Sequence, residues 1–300
     1  MIGFNLNKVK RHFLEVLGEG FPQREAEQLM RILLEDLFGI GLTRQLMEPK
    51  LRIDELQYAQ LENAVKRLLE GVPVQYVTGK AWFDGLLFQV NESVLIPRPE
   101  TEELVQLVTE ELALKAGLEE FSSDKPLRVW DVGTGSGCIA IALAKRFPQA
   151  EVKAFDFSGQ ALETARYNAR QNGVQVDFIC DDVLNPQSEI WKQSVDLVVS
   201  NPPYIRESEK AAMEHNVLDH EPHSALFVPD DAPLVFYRQI MALAKPQLKS
   251  GSSIWFEINE ALGEEMSQLC QAMGFEAEVH LDFAGKPRFI HIFALKKNST

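Results

Sequence analysis

Long hydrophobic runs are missing from this sequence. The longest, such as Ile139 to Ala144, fall far short of the ~20 residues that a bilayer-crossing helix needs, so no membrane span is expected. Met1 to Arg11 has no apolar stretch followed by a small-residue cleavage site, which argues against a secretion signal. Cysteine is scarce. Cys138, Cys180 and Cys270 are odd in number, widely spaced and without a Cys-x-x-Cys pair. They read as reduced, mostly buried thiols of a cytoplasmic protein rather than as a disulfide framework or zinc site. Positive charge is in deficit too: 30 Lys and Arg stand against 44 Asp and Glu, a net charge of −14. Gripping a nucleic-acid backbone takes cations that displace its counterions, so no direct nucleic-acid partner is expected. The small basic groups (Lys8, Lys10, Arg11 and His12; Lys50 and Arg52; Lys66 and Arg67) read as solvated helix faces.

What is present divides the chain in two. Ala26, Leu29, Met30, Leu33, Leu34 and Leu37 recur at helical spacing, as do Leu61, Ala64, Val65, Leu68 and Leu69 before the stop at Gly71 and Pro73. Residues 1–72 therefore read as a small helical domain. Residues 73–98 are rich in β-branched and aromatic side chains broken by Asp84-Gly85, and read as a β-hairpin linker. Pro99 opens a helix whose positive end is complemented by Glu100, Glu102 and Glu103. From Leu127 strands alternate with helices, which predicts an α/β domain over 99–300 with a mostly parallel sheet covered on both faces. Lys296 to Thr300 reads as a frayed tail. No internal repeat or low-complexity stretch appears.

In such sheets ligands bind beyond the carboxyl ends of the strands. The first strand ends in Asp131-Val132-Gly133-Thr134-Gly135-Ser136-Gly137. A dinucleotide fingerprint would need glycine at 138, where Cys138 stands, which speaks against a nicotinamide oxidoreductase. The second strand ends at Asp156, placed to accept hydrogen bonds from ribose hydroxyls. The third ends at Asp181-Asp182-Val183, where a carboxylate or backbone group can meet an adenine and Val183 can pack on its face. The fourth runs into Asn201-Pro202-Pro203-Tyr204, the most specific feature of the chain. An amide nitrogen is a poor nucleophile because its lone pair is delocalised, so its hydrogens must be held. Asn201 can accept one N–H and the Pro202 carbonyl the other, while the two prolines stiffen the loop. Tyr204 offers a flat face for the amide. A silent binding module has no need of such a loop.

The Asp-x-Gly-x-Gly-x-Gly spacing resembles the first motif of S-adenosylmethionine-dependent methyltransferases. Asn-Pro-Pro-Tyr resembles the motif of those acting on planar amide or amino nitrogens. Pro73 to Gly79, Leu95 to Glu102, Val129 to Gly137, Asn201 to Tyr204 and Glu221-Pro222 together resemble the release-factor glutamine methyltransferases, the PrmC/HemK family. The resemblance implies a seven-stranded, Rossmann-like class I methyltransferase domain, a helical N-terminal substrate-recognition domain and a β-hairpin linker. It implies S-adenosyl-L-methionine as cofactor, S-adenosyl-L-homocysteine as product, and the Gly-Gly-Gln glutamine of class I peptide chain release factors as substrate. Gly133, Thr134, Gly135, Ser136, Gly137, Asp156, Asp182, Val183 and Asn201 would contact the cofactor; Asn201, Pro202, Pro203 and Tyr204 would hold the substrate. Relatives often carry an aromatic where Val183 stands, which implies weaker adenine stacking here. A ribosomal-protein glutamine, or an adenine of nucleic acid, are the alternative acceptors. Arg98 is expected to steady the cofactor carboxylate or a nearby acid, or else to pair with Glu100 or Glu102. His215, His220 and His223 read as histidines of an irregular loop rather than metal ligands. A monomer is expected.

Overall fold

The computed structural model describes residues 3–117, 126–213 and 215–293; the expected tail at 296–300 lies outside them. The chain forms two compact units, Met1–Lys80 with Glu214–His220, and Ala81–Met213 with Glu221–Thr300.

In the first unit a two-residue strand β1 (Phe4–Asn5) pairs with β2 (Arg52–Ile53). Around them lie helices α1 (Leu6–Leu17), α2 (Gln23–Phe38), α3 (Leu42–Met47), α4 (Glu55–Leu69) and α5 (Val74–Thr78). Asn5 caps α1 through the Lys8 amide, and Asp54 and Gln57 close a reciprocal capping box on α4. The stripes seen in the sequence meet as one core, with Leu17, Met30, Leu33, Leu34 and Leu61 fully buried.

The second unit opens with a hairpin, β3 (Lys80–Phe83) and β4 (Leu86–Gln89), turned by Asp84 and Gly85, both at positive φ. The expected hairpin over 73–98 is shorter than its composition suggests. Residues 74–78 are helix α5, because Pro73 starts it and burial of Tyr76 and Val77 outweighs their β propensity. Residues 90–98 carry no strand. The hairpin is tied to the unit by Asn168, whose side chain bonds both backbone groups of Gln89.

Then follow α6 (Pro99–Gly117), β5 (Arg128–Val132), α7 (Cys138–Arg146), β6 (Glu151–Asp156), α8 (Gly159–Asn172), β7 (Asp177–Cys180), β8 (Val195–Ser200) and the short β9 (Ile205–Arg206). Helix α9 (His215–His220) belongs to the first unit. This segment, expected as an irregular loop, is helical. After it come β10 (Phe227–Val228), α10 (Val235–Ala244), β11 (Leu248–Glu257), α11 (Gly263–Ala272), β12 (Glu276–Leu281) and β13 (Pro287–Phe293).

Seven strands form one sheet in the order β12-β13-β11-β8-β5-β6-β7, with β13 antiparallel to its neighbours. Chain order reverses beside β5, which pairs with β6 on one edge and β8 on the other. Alternate residues face opposite layers: Val129 packs with α6 and α7, Trp130 and Val132 with α10 and α11. The expected α/β architecture is therefore the one observed.

Leu33→Ala should cost the first unit about 2–5 kcal/mol, the range for emptying a packed leucine site. Urea unfolding checks this; a loss below about 1 kcal/mol would mean that α1 and α4 collapse into the space.

Candidate functional site

Parallel pairing brings the carboxyl ends of β5, β6 and β8 level, with Val132 opposite Phe155 and Asp131 opposite Val199. The loops beyond them enclose a cavity of about 600 Å³, a volume suited to a small-molecule ligand. Its walls include Gly133 to Ser136, Asp156 to Ser158, Asp181 to Leu184, Asn201 to Pro203, and Glu92 to Arg98.

The glycine loop is held by the ends of β5 and β6. The amides of Gly133 and Thr134 donate to the Phe155 carbonyl at 2.8 and 2.9 Å. Fully buried Asp131 accepts from the Thr134 hydroxyl at 2.6 Å and the Ala140 amide at 3.1 Å, locking the loop onto the start of α7. Asp156 accepts from the Gly135 amide at 2.8 Å and the Ser158 amide at 2.9 Å. Each of its oxygens keeps lone-pair capacity for a further donor. Asp182 accepts from the Leu184 amide at 2.9 Å. Asp181 serves the fold: it holds the Ser188 amide and the Trp191 indole, at 2.8 and 2.7 Å. Gly137 caps α7 at φ +83°, where a Cβ would stand 2.9 Å from Ile141 and 3.1 Å from the Ala165 Cβ.

The Asn201 amide group donates to the Thr101 hydroxyl at 3.1 Å, and Thr101 donates to Glu257 at 2.7 Å. The Tyr204 hydroxyl donates to the other Glu257 oxygen at 3.1 Å. Asn201, Pro202 and Pro203 line the cavity, whereas Tyr204 stands outside that lining with its hydroxyl committed to Glu257. Burial pushes the carboxyls of Asp131 and Glu257 up to about 7 each.

Arg98 pairs with Glu221 at 2.5 Å, the nearby acid among its expected partners. Glu221, buried, also accepts from the Ile96 amide at 3.3 Å, so it joins the wall at 92–98 to the wall at Pro222 to Phe227. His215 and His220 fall in the first unit and His223 in the second. Among the described residues no group of three His, Cys, Asp or Glu side chains converges to hold a metal. Also among the described residues, no helix is long and apolar enough to cross a membrane.

No role in the site was expected of Thr101, Glu221, Glu257 or Phe157, although Thr101 and Glu221 lie within the motifs that carry the resemblance. The Phe157 ring is 58% exposed and lines the cavity beside Val183 and Leu184, supplying an aromatic face that position 183 does not. The signal for Glu257 was a lone carboxylate inside the apolar strand Ile254 to Ile258. The buried Ser136 hydroxyl lines the cavity, where it can also meet a polar ligand atom.

Gly137→Ala and Gly133→Ala both meet the left-handed backbone penalty of about 1–2 kcal/mol, but only the first adds a clash. Gly137→Ala should therefore unfold at lower urea; equal midpoints would show that α7 and α8 move apart freely. A second outcome concerns pH. The folded chain keeps protons on Asp131 and Glu257 that the unfolded chain releases from about pH 4–4.5. Their combined effect makes stability fall as pH rises toward about 7 and level off above it. Thermal unfolding of Glu257→Gln should show a shallower fall than the parent across this window; the same slope would exclude Glu257 as a source.

The match to known proteins follows this division of the chain. Residues 10–79 match the PrmC N-terminal domain and residues 113–224 the methyltransferase small domain. A release factor glutamine methyltransferase of Flavobacterium psychrophilum is 41% identical over 288 residues, 96% of this chain and 98% of that one. The protein of the same name from Bacteroides thetaiotaomicron is 39% identical over 95% and 99%. Among solved structures, the hMettl16 catalytic domain, in complex with the MAT2A 3'UTR hairpin 6, aligns with a TM-score of 0.52 at 14% identity. That alignment covers 72% of this chain and 78% of that one, and the likeness is one of fold. With both domains matched and such identity along nearly their whole lengths, the chain belongs to the release factor glutamine methyltransferase family.

Proposed function

We propose that this chain transfers a methyl group from S-adenosyl-L-methionine to the side-chain amide nitrogen of the glutamine in the Gly-Gly-Gln motif of class I release factors. The observation that carries the reading is the setting of Asn201. Its amide nitrogen donates to Thr101, and the residue lines the cavity, so its side-chain oxygen is left as the group that can accept there. An acceptor in that place suits a substrate group that donates N–H hydrogens. The Pro202 carbonyl takes the second hydrogen, so the amide nitrogen is aimed before it reacts. Positive charge developing on that nitrogen then meets oxygen dipoles rather than donors.

The cavity also suits the cofactor. Glu92, Asp156, Asp181 and Asp182 are among its walls, while its cation Arg98 is paired with Glu221. A cavity of that sign favours a cationic sulfonium and disfavours the pyrophosphate of a dinucleotide. Asp156 would receive the ribose hydroxyls, Gly133 to Gly137 the amino-acid end, and Asp182, Val183 and Phe157 the adenine. When bound, S-adenosyl-L-methionine supplies an electrophilic methyl group, so no strong general base is needed. The helical first unit is the part of the chain left for recognising the protein substrate.

The test is methylation with tritiated S-adenosyl-L-methionine and four acceptors: release factor, the same factor with its Gly-Gly-Gln glutamine changed to alanine, ribosomal protein, and DNA. Label in the first alone is expected; label only in ribosomal protein or DNA would overturn the choice of substrate. Asn201→Ala should lower kcat by about 10²-fold, a size typical of losing an orienting contact. Turnover within about threefold of the parent would rule out this role of Asn201.

A further inference from the structure

A side-chain amide has two ends of similar size and opposite chemistry, one accepting and one donating. For Asn201 the choice is made by Thr101, which also lines the cavity, and through it by Glu257. Thr101 lies in the first turn of α6 and is 2% exposed; Glu257 ends β11 and is 1% exposed. The Thr101 hydroxyl has one proton to give. While Glu257 is ionised it only accepts, and it receives that proton at 2.7 Å and the Tyr204 hydroxyl at 3.1 Å. Thr101 is then left as an acceptor, so Asn201 must present its nitrogen to it, at 3.1 Å.

We propose that Thr101 and Glu257 are positioning residues that set which end of the Asn201 amide faces the substrate, and so make the site select an N–H donor. The proposal rests on the functional reading of Asn201 given above. Three elements join in one chain of hydrogen bonds: the start of α6, the end of β11 and the loop after β8. None of the links uses the side-chain oxygen of Asn201. Protonation of Glu257 reverses the chain. A protonated carboxyl donates to Thr101, whose own hydrogen turns toward Asn201, and the amide is drawn to turn over. Burial raises the Glu257 carboxyl to about 7, against the hydrogen bonds from Thr101 and Tyr204, with Arg288 opposing and Glu100 assisting. Tyr237 also faces this group, its hydroxyl donating to the Glu257 carbonyl at 3.0 Å. The reversal thus falls near neutral pH.

The full chain and a release factor bearing its glutamine serve as the assay. Thr101→Val should lower kcat about tenfold or more, while the Kd for S-adenosyl-L-methionine by calorimetry stays within about twofold. Thr101→Ser, which keeps the hydroxyl, should return kcat to within about threefold of the parent. In the parent, kcat should rise between pH 6 and 8, and Glu257→Gln should remove that limb. The side-chain ¹⁵N amide pair of Asn201, identified by its loss in Asn201→Asp, should shift in Thr101→Val. A Thr101→Val enzyme within about twofold of the parent kcat would overturn the proposal. So would an unmoved Asn201 amide pair, a result that holds even if the parent fails to methylate the release factor. That failure by itself would fall on the functional reading instead.

Discussion

The hydrogen bonding of β5 along both edges is the constraint on which the second unit depends. Because β6 and β8 pair with it in parallel and in register, three loops leave the sheet at one level. The same double pairing buries β5 on both faces, so its side chains anchor two separate helical layers. The glycine loop, Asp156 and Asn201 are neighbours because of that pairing, although Asp156 and Asn201 lie 24 and 69 positions beyond the end of β5 at Val132.

Placing polar chemistry at the end of a buried sheet has a cost, and the chain meets it with carboxylates. Asp131, Asp156 and Asp181 each accept loop hydrogens that would otherwise be stranded away from water. Glu257 does the same for two hydroxyls at the end of β11. Two of these acids are shielded enough to hold a proton near neutrality. Rigid walls and sensitivity to protonation therefore have one origin, the burial of acidic side chains among hydrogen-bond donors.

Much of this was legible in the sequence. Strand–helix alternation foretold the parallel sheet, and the groups at four strand ends marked where a cavity would form. These signals are local: a strand, its terminal motif and the next helix follow one another in sequence. Thr101 and Glu257 are not local to Asn201, standing 100 and 56 positions away, and only the fold brings them together. Thr101 sits among glutamates that read as complements to a helix end, which hid its hydroxyl. Val74 to Thr78 misled in another way, since its composition favours a strand while its setting requires a helical turn. The commitment of the Tyr204 hydroxyl to Glu257 could not be read from a four-residue motif.

The helix at His215–His220 changes what kind of object the first unit is. Although lone Gly71 and His220 lie far apart in the chain, they approach within that unit, so its last element is delivered from inside the catalytic sequence. The chain crosses between the units three times rather than once. Recombination at a single breakpoint cannot move the helical unit intact onto another enzyme, because one of its pieces would stay behind. An exchange of the helical unit as a whole therefore has to carry residues 214–220 along with residues 1–80.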